Sequence, residues 1–237
     1  MINFRKYNNV TKIVVPNGVQ LTNTNFNNTF YNMQNLVDLC VPNQITNMSH
    51  ICRDCKNIKT ATPMCGNKVI NMSSAYYNCF NLTSNPACGR NVTNMDYAYF
   101  DCHNLTGSPV CGRNVTSLYY TYYNCCNLTG YPTCGDKATI MLGTYYNCPN
   151  LTGSPVCGRK VMNMASTYYN CRNLTGHPVC GDNVINMYTT YFGCSNLTGS
   201  PVCGNNVTDM YSTYYNCQNL TGAPICGKKV TNMASAY

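Results

Sequence analysis

Apolar residues in this chain follow neither a sustained helical period nor a long strand alternation. They recur in blocks. One block reads Cys102-His-Asn-Leu-Thr-Gly-Ser-Pro-Val-Cys-Gly-Arg-Asn-Val-Thr-Ser-Leu-Tyr-Tyr-Thr-Tyr-Tyr-Asn124, and the next opens at Cys125. The leading cysteines are Cys55, Cys79, Cys102, Cys125, Cys148, Cys171, Cys194 and Cys217, with one step of 24 residues and then steps of 23. A second column runs from Cys65 through Cys88, Cys111, Cys134, Cys157, Cys180 and Cys203 to Cys226. Self-similarity at such a period, without a helical pattern, predicts short strands and turns wound into coils that stack on their neighbours.

Comparing the copies within the chain separates interior from surface. Positions that stay apolar predict the interior: Leu82 to Leu220, Val92 to Val230, Met95 to Met233, both cysteine columns, and Tyr76 to Tyr214. Their stacking interval should be about 4.8 Å per coil. The Gly after each second cysteine, as at Gly89 and Gly112, predicts a left-handed turn or a close backbone approach. The Pro two residues before that cysteine predicts the first residue of a short strand, because proline lacks a ladder donor. Asn81, Asn104, Asn127 and their equivalents predict a ladder of side-chain amides. Four sets of positions vary: the residue after the leading Cys, the residue before the Pro, the pair after the Gly, and the pair after the Met.

Residues 1–33 are the expected N-terminal cap and first irregular coil, and 34–237 the tandem repeats. The last residue, Tyr237, falls at the Tyr76 position of its block, so the sequence stops in mid-coil with no polar cap. The opening residues show no apolar stretch of the secretory type. No apolar run approaches 18 residues, so no membrane insertion is expected.

Composition narrows the classes further. Charged residues are 9% of the 237, against about 25% in ordinary domains. The 37 asparagines therefore supply much of the polar surface. The net charge of +8 rests on only 15 Lys and Arg, too few for a nucleic-acid binder, and none is expected as a partner. The 44% hydrophobic content excludes a disordered chain.

The run Asn94-Met-Asp-Tyr-Ala-Tyr-Phe-Asp-Cys-His-Asn-Leu-Thr106 resembles the BspA-type leucine-rich repeats of bacterial surface proteins. So do Val92-Thr93-Asn94-Met95 and Asn71-Met72-Ser73. The resemblance covers roughly residues 30–237 and departs from the family in its 23-residue period, its second Cys column and its Tyr-Tyr doublet. It implies an all-β-rich repeat solenoid, a leucine-rich-repeat-like right-handed coil with short parallel strands. It further implies adhesion, host attachment or protein binding; with no secretory stretch in the opening residues, the expected location is a cell surface, the extracellular space or a virion. The partner is then a protein or glycan. A structural subunit of an extracellular or virion fibre, stacking end to end, is the alternative.

The candidate chemistry fits binding better than catalysis. His50, His103 and His177 form no legible constellation with the scattered acids, so no catalytic residue is assigned. Cys52-Arg-Asp-Cys55 has no second CxxC, so neither metal nor cofactor is expected. The cysteine columns read best as reduced thiols buried like small hydrophobes, with some disulfides as the alternative. The Asn-Leu-Thr and Asn-Val-Thr acceptors, as at Asn81 and Asn91, read as ladder positions rather than glycosylation sites. The aromatic row Tyr77, Phe100, Tyr123, Tyr146, Tyr169, Phe192 and Tyr215 adjoins the interior tyrosines and either turns outward or packs between coils. A basic row of Arg90, Arg113, Lys137, Arg159, Lys160, Lys228 and Lys229 lies on the pair after the Gly and offers attraction to acidic partners.

Overall fold

The computed structural model describes residues 4, 7 and 9–237, and among them no α-helix forms. Each block makes one winding. Parallel bridges join equivalent positions from coil to coil, from Asn25↔Asn47 through Asn94↔Ser117 and Ser117↔Ile140 to Asp209↔Asn232. Backbone amides hang on the next coil: Tyr76 N–H donates to the Ala98 carbonyl at 2.8 Å and Tyr99 N–H to that of Thr121 at 2.9 Å. The chain is a leucine-rich-repeat solenoid with parallel pairing and a continuous interior.

The sheet is shorter than the sequence predicts. β1 (Lys12–Val14), β2 (Asp38–Cys40) and β3 (Thr60–Thr62) pair in parallel in that order. Beyond β3, only isolated bridges continue it. The cause is local. Seven residue steps separate Ile58 from Cys65, but six separate Leu82 from Cys88. From the next coil onward, Gly107, Gly130, Gly153, Gly176 and Gly199 have positive φ and turn the chain before the proline. Proline also sits differently from expectation. Pro63 follows β3 instead of opening it. Only Pro178, Pro201 and Pro224 directly precede bridged residues, Val179, Val202 and Ile225.

The Leu, Val, Met and first Tyr columns fill the interior, most at 0% exposure. The buried tyrosines from Tyr76 to Tyr214 stack face to face, with ring centroids 5.3–5.6 Å apart. A buried Tyr hydroxyl needs partners, and each finds them across its own coil. The Tyr122 hydroxyl accepts from Val110 N–H at 3.1 Å and donates to the Val110 carbonyl at 2.8 Å. Tyr99 does the same with Ala87, Tyr145 with Thr133 and Tyr168 with Val156.

Two other buried columns use their polar atoms in the same economical way. Thr121, Thr144 and Thr167 donate to carbonyls one coil back, those of Met95, Leu118 and Met141. The leading thiols also donate backward: Cys102 to the Tyr76 carbonyl at 3.0 Å, Cys125 to that of Tyr99 at 3.1 Å, and Cys148 to that of Tyr122 at 3.0 Å. All nineteen cysteines are free thiols.

The second Cys column corrects the expectation of a fully interior position. Cys65, Cys88, Cys111, Cys134, Cys157 and Cys180 are half-buried at the rim, each with the thiol turned onto the following Gly carbonyl. That Gly is required by close approach, not by a left-handed φ. A Cβ at Gly135 would lie 2.5 Å from the Gly112 carbonyl oxygen. The Met and Val columns also lose their cover at the last described coil. Met233 is 47% exposed and Val230 half-buried, because that coil has a neighbour on one side only.

Candidate functional site: an aromatic edge

Two backbone positions in each coil lie in the left-handed region, and they shape one edge of the solenoid. The first holds Asn28, His50, Ser74, Tyr97, Tyr120, Gly143, Ser166, Thr189, Ser212 and Ser235. The second holds Asn32, Asp54, Asn78, Asp101, Asn124, Asn147, Asn170, Gly193 and Asn216. Asn, Asp and Gly suit such φ values, and small polar residues tolerate them. Side-chain amides reinforce the second position, as Asn124 donates to Asp101 and Asn147 donates to Asn124.

Between these turns the predicted aromatic row forms one continuous stack. Successive centroids from Tyr77 through Phe100, Tyr123, Tyr146, Tyr169 and Phe192 to Tyr215 are 4.6, 4.5, 4.6, 4.4, 4.6 and 5.1 Å apart. Both sequence-level options therefore hold together: the rings pack between coils and also show their outer edges. Tyr215 is 41% exposed and the others are half-buried. The Arg53 guanidinium covers the Tyr77 end of the stack, 4.5 Å from the ring centroid. Because each ring face lies against the next ring, edges and hydroxyls are what the row offers to solvent.

The sequence did not single out the aromatic cluster beside this row. Tyr97 (φ 56°) and Tyr120 (φ 49°) occupy left-handed positions that most other coils fill with Ser, Thr or Gly. Bulky residues there carry backbone strain. Their rings stack 5.8 Å apart, and Tyr119 stands perpendicular to Tyr120 at 4.6 Å. Tyr97 also meets Phe100 at 5.8 Å, and Tyr120 meets Tyr123 at 5.5 Å. The Tyr120 ring lies over Gly143, where any Cβ would collide with it. A shallow hollow of about 430 Å³ adjoins it, lined by His50, Arg53, Ser73, Ser74, Tyr77 and Tyr97. Partial burial, then the Arg53 charge, holds His50 below its usual pKa. A sequence signal existed: aromatics replacing small residues at one repeat position.

The predicted basic row is separate from this edge. Arg90, Arg113, Lys137, Arg159, Lys160, Lys228 and Lys229 are all exposed. Asp136 and Asp182 are interleaved among them. Neighbouring asparagines tie the row to the stack, Asn114 donating to the Arg90 carbonyl and Asn183 to that of Arg159. Lys160 and Lys229 border an open groove floored by Met162 and Ile185.

No helix among the described residues is long and apolar enough to cross a membrane. Among the described residues no group of three or more His, Cys, Asp or Glu side chains is arranged to hold a metal.

No curated protein matches the chain. A leucine-rich repeat protein from Bacteroides ovatus is similar at 12% identity and a TM-score of 0.48, over 93% of this chain and 70% of that one. A leucine rich cell surface protein from Faecalibacterium prausnitzii is similar at 13% identity and a TM-score of 0.43, over 84% of this chain and 62% of its own length. A Kazal-type serine protease inhibitor profile matches residues 189–216. That segment winds like the others, with Cys194 donating to the Tyr168 carbonyl as its equivalents do, so it is no separate domain. The profile of the BspA type leucine rich repeat region matches in six copies, over residues 2–106 and 27–152, more than half of the chain. The chain belongs to the BspA-type leucine-rich repeat family.

Proposed function

We propose that this chain is a non-enzymatic recognition solenoid that attaches to a protein on a cell surface through its aromatic edge. The observation that carries this reading is the strain at Tyr97 and Tyr120. Two large rings sit where the backbone favours small residues, and strain of this kind gathers at functional positions. Tyrosine is enriched at protein interfaces because it brings apolar area and a hydroxyl with little entropy to lose. A protein suits the edge better than a glycan does. Sugars stack on open ring faces, and the row from Tyr77 to Tyr215 has its faces occupied by neighbouring rings.

The repeat provides its own controls. Tyr97→Ser and Tyr120→Gly install residues that other coils carry at the same position, as at Ser74 and Gly143. Labelled full chain is added to cells treated beforehand with protease or with glycosidases. Protease should abolish binding, glycosidase should not, and the double variant should bind roughly tenfold or more weakly. Unchanged binding by the variant, or loss on deglycosylation alone, would reject the reading.

A further inference from the structure

The second Cys column changes its behaviour in one place. In earlier coils its thiols turn onto their own Gly carbonyls, 3.6 Å away at Cys111 and Cys134. At the seventh and eighth members, Cys203 and Cys226, the thiols turn inward. Cys203 and Cys226 each approach the sulfur of Met210 at 3.7 Å, and the Cys203 Sγ is also 3.5 Å from the Tyr214 hydroxyl.

The change has a local cause. Here the residues after the proline bridge to their neighbours, Val179↔Val202 and Val202↔Ile225, and Cys203 N–H donates to the Ile225 carbonyl. The Tyr214 hydroxyl points to the Cys203 sulfur, whereas Tyr191 still donates to the Val179 carbonyl one coil earlier. Cys203 is thereby 7% exposed and Met210 fully buried, while Cys226 is half-buried and opens the cluster to solvent.

We propose that Cys203, Cys226 and Met210 form a binding site for a soft monovalent metal ion, Cu(I). Three sulfurs bound about 2.3 Å from one metal stand roughly 4 Å apart, and two of these three pairs already stand at 3.7 Å. Thiolate and thioether ligands select Cu(I). Zinc, by contrast, favours four ligands drawn from thiolate, imidazole and carboxylate, a set with no thioether. Binding exchanges protons for metal: Cu(I) forms bonds to two thiolate sulfurs and the Met210 thioether, and the two thiol protons leave to solvent with no change of oxidation state.

The other thiols make a stoichiometric test on its own uninformative, so the test compares variants. The reduced full chain is titrated anaerobically with Cu(I) against a chromophoric Cu(I) chelator. The first equivalent should be withheld from the chelator, and Met210→Leu should weaken that equivalent about tenfold or more. Met187→Leu, the same change one coil earlier, should leave it unchanged. X-ray absorption of the one-equivalent wild-type complex should show three sulfurs near 2.3 Å, independently of any variant. Equal effects of the two substitutions, no effect of either, or a first shell of two sulfurs would overturn the site.

Discussion

The Tyr122 hydroxyl and the backbone of Val110 are bonded in both directions: Val110 N–H donates to the hydroxyl oxygen and the hydroxyl donates to the Val110 carbonyl. In a sheet, neighbouring strands would satisfy those two groups. In the shortened coils no strand pairs there, and a side chain from across the winding does so instead. Tyr122→Phe keeps the ring stack but orphans both backbone groups. It should destabilise by about 1–3 kcal/mol, while Tyr123→Phe, on the solvent edge, should cost much less. Urea unfolding of both variants checks the difference.

The glycines after the second cysteines should rank by clearance. A Cβ at Gly135 would lie 2.5 Å from the Gly112 carbonyl oxygen, whereas one at Gly181 meets nothing closer than the Cys157 sulfur at 3.2 Å. Gly135→Ala therefore forces two coils apart and Gly181→Ala asks only for a small side-chain shift. Thermal unfolding should show a clearly larger loss for Gly135→Ala, and equal losses would contradict the close-approach account.

Thiol reactivity should sort by column. Cys79, Cys102, Cys125, Cys148, Cys171 and Cys194 are fully buried, and each thiol donates to a carbonyl one coil back, that of Cys79 to Cys52 and that of Cys171 to Tyr145 among them. The rim thiols such as Cys88 and Cys134 are half-buried. An alkylating reagent on the native chain should label the rim first, and the leading column only at the rate at which coils open. Peptide mass spectrometry over time reads this order. Leading-column labelling that keeps pace with the rim would show that the column is not sealed.

Stability should fall in alkaline solution. Burial is the largest cause raising the thiols of Cys65, Cys111 and Cys180 to about 12 and those of Cys88 and Cys134 to about 11. In the unfolded chain a thiol ionises near about 8.5. Between those values the unfolded chain has lost protons that the folded chain keeps, so the slope of stability with pH is negative. The contribution is complete below about pH 8 and is lost as pH rises through the folded values. Denaturant midpoints measured from pH 7 to 11 should stay level and then drop. A midpoint that rises above pH 9 would contradict the burial of these thiols.

The winding was legible in the residues because it rests on recurrence: a side chain that returns every 23 positions can only be stacked on its copies, and Leu82, Met95 and Tyr76 were readable as interior for that reason. Family membership followed from the same strings. The repeat could not reveal how the shortened turn between Leu and Pro would be held. That depended on a hydroxyl reaching a backbone twelve residues away, as Tyr122 reaches Val110. Nor could it show that the outer aromatics would stack face to face, that Tyr97 and Tyr120 would fall on left-handed backbone, or that Cys203 and Cys226 would turn toward Met210. Periodicity assigns a residue to a column, whereas side-chain direction depends on the packing of coils on either side, which exists only once the chain is wound.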